Sequence, residues 1–161
     1  MTDLVAVLQE FYRDKLTAML RHQVGARVIG QYDINNTYQY VINREDMQLS
    51  WVAQAIAELG GELPQVVEAE RPQSGNGTER ADRILEEDAR DAQAFVDRWT
   101  PRVKDMTNAR HAKMLRVILG ETLEQKRFFE QARAGQLDLL GRRPDHVGPR
   151  VGSVLPTRWI E

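Results

Sequence analysis

The feature that most narrows the folds open to this chain is a three-and-four apolar spacing in four segments of about 22–29 residues each. Side chains three and four positions apart share one face of a helix, whereas a strand needs strict alternation. The first segment runs from about Thr2 to Gly30, with Thr2 or Asp3 as N-cap and a stripe of Leu4, Leu8, Phe11 and Ala18. Asp and Asn turn chemistry in "QYDINNTYQ" separates it from the second, about Thr37 to Leu59, which "GG" at 60–61 stops. The third opens at Ser74 or Thr78 and carries Ala81, Leu85, Ala92, Phe95 and Trp99. Pro101 should kink or end it, because the ring clashes with the preceding turn. The fourth extends from about Asn108 to Ala134, and Gly135 stops it.

The connections are short, long and short. Residues 61–77, "GELPQVVEAERPQSGNG", form the long one, and such a loop is uncommon inside a small domain unless it has distance to cover. An all-α four-helix bundle over residues 1–135 follows, with two antiparallel hairpins and one long crossover that makes helices 2 and 3 parallel. Residues 136–161 are rich in Pro and Gly and read as an irregular C-terminal tail. Val154, Leu155, Trp159 and Ile160 are its expected anchors, on the bundle or on a neighbouring subunit.

A chain of 161 residues suits one domain with a real core. Its formal net charge of −2, with bases scattered among acids, offers no basic patch for nucleic acid or an anionic membrane surface. There is no cysteine, so disulfides, thiol catalysis and thiolate metal sites are excluded, and a transition metal would have to use carboxylate and imidazole. The first residues, "MTDLVAVLQEFYRDK", lack the pattern of a signal peptide, and no apolar run reaches the length of a membrane span. A cytoplasmic location is the resulting expectation.

Extending each stripe shows what interrupts it. The first helix gives Leu4, Leu8, Phe11, Lys15, Ala18, His22, and the second gives Val41, Glu45, Gln48, Val52, Ala55, Leu59. The third gives Ala81, Leu85, Asp88, Ala92, Phe95, Trp99, and the fourth His111, Leu115, Ile118, Thr122, Gln125, Phe129, Ala132. One inward polar residue is ordinarily a satisfied core hydrogen bond. Six of them (Lys15, Glu45, Gln48, Asp88, Thr122 and Gln125), at one height on four helices, form a single polar layer.

The helix 2 stretch "EDMQLSWVAQAIAELGG" resembles bacterioferritin and related carboxylate di-iron proteins of the ferritin-like superfamily. In that family a Glu-x-x-His is followed by a long amphipathic run ending in Leu-Gly or Gly-Gly. The resemblance covers about residues 2–134. It places Glu45 on the family's Glu and Gln48 on its His, and "TLEQKRFFEQ" places Thr122 and Gln125 on the second Glu-x-x-His. "DKLTA" is similar to Glu-Leu-Thr-Ala, with Lys15 where a Glu belongs, and Asp88 matches the last carboxylate. The resemblance implies a ferritin-like fold whose di-iron centre has lost its ligands: both imidazoles are amides, one Glu is Thr and one is Lys.

The expected function is therefore that of a non-catalytic binding or oligomeric interaction protein. It has no catalytic residue, cofactor or metal, and Lys15 acts as counter-ion to Glu45 and Asp88. The alternative is a metal-binding protein or di-metal oxidoreductase holding iron or manganese through an altered carboxylate set. Glu87, Glu121 and Glu124 would be its extra acids and His22 its imidazole, although such acids usually occupy solvated faces. Whether the chain is an enzyme stays open at this level. A homo-oligomer, a dimer first, is expected, with Trp51, Phe128 and the Trp159 tail as candidate contacts and a protein partner for the tail as a further option.

Overall fold

The computed structural model describes residues 3–73, 75–136 and 139. The tail anchors, His146 and the alternative caps Thr2 and Ser74 lie outside the described residues. Within them the chain is a bundle of four helices and contains no strand: α1 (Leu4–Ala26), α2 (Tyr32–Glu58), α3 (Gly77–Lys104) and α4 (Ala109–Arg133). α1 packs on α2 and α3, and α4 packs on α3 and α2.

Three of the four N-termini are fixed by side chains that satisfy otherwise orphaned amides. Asp3 accepts from Val5 N and Ala6 N, and Asn108 accepts from His111 N. Asn76 and Glu79 form a reciprocal capping box at α3. α2 has no such cap at Gln31 and starts earlier than its sequence predicts, at Tyr32. The expected turn "QYDINNTYQ" is mostly helix. Its Asn35 donates to Ala26 O at 2.9 Å, spending its turn-forming group on clipping α2 to the end of α1.

Pro101 neither ends nor breaks off α3, which continues one turn to Lys104. The helix is closed there by Asp105 N–H on Pro101 O at 3.1 Å, and the carbonyl that loses its donor belongs to exposed Asp97, where water is at hand. Ion pairs fix the helix directions. Glu10 meets Arg102 while Arg21 meets Glu87, so α1 and α3 are antiparallel. Arg44 meets Glu121 while Glu58 meets Arg110, so α2 and α4 are antiparallel too.

The connection after α2 lies along α1. Gln9 Nε2 donates to Glu62 O at 2.8 Å near one end of α1, and Arg27 pairs with Glu68 at the other. Between α2 and α3 the chain therefore travels most of the length of α1, as a loop of this length must.

Two apolar clusters fill the bundle. One gathers Tyr38, Ile42, Ile84, Leu85 and Phe129, and the other Leu8, Phe11, Ile56, Trp99 and Leu115. Residues 15–22, 45–48, 88 and 122–125 carry the polar layer near the junction of the two clusters, where Met19, Leu49 and Ala89 of the first cluster lie beside it. Phe128, expected to be exposed, is 6% exposed because it packs edge-on against Tyr40. Trp51 is half-buried under Arg44. No helix among the described residues is long and apolar enough to cross a membrane.

Candidate functional site

The six polar residues of the stripes, Lys15, Glu45, Gln48, Asp88, Thr122 and Gln125, are all buried, none more than 4% exposed. Removing ions from water is costly unless each gains partners, so their pairing decides what the layer can be. Glu45 and Asp88 have different sets.

Glu45 sits between Lys15 and His22, both from α1. Lys15 Nζ is 3.3 Å from Glu45 Oε2 and donates to Thr122 Oγ1 at 3.2 Å. Thr122 in turn donates to Ile118 O at 2.8 Å, so its hydroxyl links α4 to α1. His22 Nδ1–H donates to Glu45 Oε1 at 2.5 Å. The Phe95 ring lies 5.3 Å from Lys15 Nζ, close enough for a cation–π contact.

Asp88 has another cation. The expectation that Lys15 ties both acids is corrected here: Asp88 is held by Arg71 and Tyr38. Arg71 Nη2 lies 2.8 Å from Asp88 Oδ1, and Tyr38 OH donates to Asp88 Oδ2 at 2.5 Å. Arg71 comes from the connection rather than from a helix. It is anchored by donating to Arg21 O at 3.0 Å and to Ile84 O at 3.3 Å. Helical periodicity cannot locate such a residue. A signal did exist: with Lys15 as the one buried base, the stripes leave Glu45 and Asp88 with an uncancelled negative charge, so a second cation had to come from elsewhere. Tyr38 falls within the helix expected from Thr37, three positions before Val41, and extending that stripe one step back would have found it.

Two acids and two bases thus cancel, and His22 lies between the pairs, its Nε2 4.0 Å from Asp88 Oδ1. Burial by itself pushes the His22 pKa down, but Glu45 and Asp88 outweigh it and hold the ring's pKa above its ordinary value. Burial likewise pushes Glu45 up, and His22 and Lys15 more than reverse this, so its pKa lies below the usual carboxylate value. His22 is a central member of the layer rather than an accessory.

The two amides lie toward the margins. Gln48 Nε2 donates to Glu121, which Arg44 also holds, so Glu121 belongs to the layer's half-buried edge. Gln125 Nε2 is buried without a hydrogen-bond partner. Glu124 is exposed and paired with Arg127 three residues on, which takes it out of the layer. Glu87 stays at the rim with Arg21 and Arg71.

A cavity of about 200 Å³ opens between α1 and α3 and reaches the layer. Lys15, His22, Asp88, Thr122 and Gln125 form its polar floor, and Ala18, Ala92 and Phe95 supply apolar wall.

The donor set does not fit a pair of transition metals. Glu45 faces an ammonium on one oxygen and an imidazole on the other, while a guanidinium and a phenol occupy Asp88. A cationic ammonium has no lone pair to ligate and repels a second cation. Among the described residues, no three His, Asp or Glu side chains are grouped so as to hold a metal ion. Comparison with protein families, with curated proteins and with solved structures gives no match.

Proposed function

We propose that the chain is a ferritin-like four-helix bundle in which an ion-paired polar layer stands where the family has its di-iron centre. In this reading it serves as a non-catalytic, cytoplasmic binding protein that assembles as a homo-oligomer. The observation that carries the reading is the engagement of both Glu45 oxygens, by Lys15 at 3.3 Å and His22 at 2.5 Å, at the middle of the bundle. A ligand carboxylate needs a free oxygen facing the metal, and this one faces two groups of its own helix bundle. The topology supports the same reading, with hairpins α1–α2 and α3–α4 and a long connection laid along α1. Assembly is supported by Tyr40 and Met47 on α2 and Val117 and Leu123 on α4, large apolar side chains left exposed.

Metal content tests the central point. Protein purified from cells supplemented with iron and manganese, then dialysed, is expected to contain far less than one metal per chain. Near-stoichiometric iron or manganese that survives dialysis overturns the reading in favour of a di-metal protein with an altered carboxylate set. Sedimentation velocity tests the assembly, for which a dimer is expected. A monomer at all concentrations removes that part.

A further inference from the structure

We propose that the cavity between α1 and α3 is a binding site for a small organic monocarboxylate, with its head group on Lys15, Gln125 and His22 and its hydrocarbon body against Ala18, Ala92 and Phe95. This inference rests on the metal-free reading of the layer, because a metal there would compete for the same carboxylate and would reorganise the floor.

The floor holds more donors than the bundle uses. Lys15 has three N–H groups and directs contacts to two partners, Thr122 and Glu45. Gln125, 4% exposed, carries an amide nitrogen with no partner, and a buried donor left unmade costs about 1–3 kcal/mol. His22 Nε2 is 4.0 Å from Asp88 Oδ1, beyond hydrogen-bond reach. These three side chains line one cavity. The nearby carboxylates are ion-paired, Asp88 with Arg71 and Glu45 with Lys15 and His22, although Glu45 Oε2 and Asp88 Oδ1 accept no hydrogen bond. A carboxylate would bring two acceptor oxygens within reach of Lys15 Nζ and the unpartnered Gln125 Nε2.

Charge selects the same head group. The buried acids and bases cancel apart from His22, so a protonated His22 leaves one positive charge, enough for one carboxylate and too little for a dianion. At the mouth, Arg21 is paired with Asp91 and Glu87, and Arg98 with Asp14, so both arginines are already paired and selection falls to the buried floor. The volume sets the size. A cavity of about 150 Å³ takes benzene, so about 200 Å³ admits a body of about six to ten non-hydrogen atoms.

Titration of ¹⁵N-labelled full-length chain near pH 6 with hexanoate, hexanol and hexylamine tests this. Hexanoate is expected to shift the amide signals around Ala18 and Ala92 and to bind at least about tenfold more tightly than hexanol, with hexylamine not binding. Ala18→Leu, which fills the half-buried wall, is expected to abolish the shifts. Gln125→Leu is expected to weaken hexanoate about tenfold while leaving hexanol unchanged. The proposal is overturned if hexanol or hexylamine binds as well as hexanoate, or if no probe perturbs those signals at millimolar concentration. Should both variants fold poorly, the ranking of the three probes on the parent protein still decides. Metal analysis of the same sample separates the two ideas: absent metal with no hexanoate binding removes only the ligand, whereas bound metal removes the layer reading beneath it.

Discussion

At the scale of single residues, the layer is a set of mutual obligations, and the partners fix what each change costs. Arg71→Leu leaves buried Asp88 with Tyr38 and only the more distant His22, at 4.0 Å, for a cation, and is expected to lower stability by about 3–5 kcal/mol in urea denaturation. Lys15→Met should cost less, about 3 kcal/mol, because Glu45 keeps His22. If Lys15→Met is the costlier of the two, the assignment of cations to acids is wrong. The pH dependence follows from the directions of the His22 and Glu45 shifts. The His22 pKa is raised in the folded state, so its stabilisation is complete below the unfolded value near 6.5 and fades as pH rises through the folded value. The Glu45 pKa is lowered, so its contribution is complete above 4.5 and fades as pH falls through its folded value. From this pair, stability should peak between those limits, and His22→Gln should flatten the decline on the alkaline side. Equal slopes for parent and variant above pH 6.5 would show that His22 is not charged against Glu45. Spacing alone could find the positions of Lys15, Glu45 and Asp88, since it reports which side chains share a face. It could not find their partners, since a partner lies on whichever neighbour the fold brings near.

Among the elements, α1 shows how one small residue admits a long one. A Cβ at Gly25 would meet Arg71 Nη1 at 2.9 Å and Ile84 Cγ2 at 3.0 Å, so the bare backbone is what lets the guanidinium lie against the helix. Alanine is favoured over glycine inside a helix by about 1 kcal/mol. Gly25→Ala should nonetheless destabilise the parent, by displacing Arg71, and should be neutral or stabilising once Arg71 is already leucine. Thermal midpoints of the four proteins in that cycle provide the check, and additive effects would argue against the contact. At α3, Asn76→Ala removes the capping box and should cost about 1 kcal/mol. The helices themselves were largely legible in the sequence, because apolar spacing and stop signals such as Gly60 and Gly135, both at positive φ, act locally. The errors were local rules that lost to tertiary ones. Asn35 and its neighbours read as a turn until Asn35 had Ala26 O to bond. Pro101 reads as a kink or an end, and the helix does not end there: one further turn is held by Val103, which packs in the core beside Trp99.

Across the whole molecule, the layer joins the four helices and the long connection: α1 to α2 through Glu45, α1 to α4 through Thr122, and α3 to the connection through Arg71. Introducing a Glu-x-x-His ligand set at these positions must therefore contend with groups outside the stripes. The combination Lys15→Glu, Gln48→His, Thr122→Glu and Gln125→His is expected to bind manganese weakly until Arg71→Leu frees Asp88, a difference that calorimetric titration with Mn(II) would read. Full binding without the Arg71 change would mean that Arg71 does not guard that carboxylate. Four amphipathic helices, their order with one long connection, and the six inward polar positions are legible in the amino-acid order, because helical periodicity, caps and glycine stops are written within a few residues of where they act. Packing of the helices on one another is what sets His22 between two acids, gives Asp88 to Arg71 and Tyr38, and puts Gln125 beside an open cavity. Those facts depend on contacts between residues tens of positions apart, and the burial of charge rather than any local preference selects them.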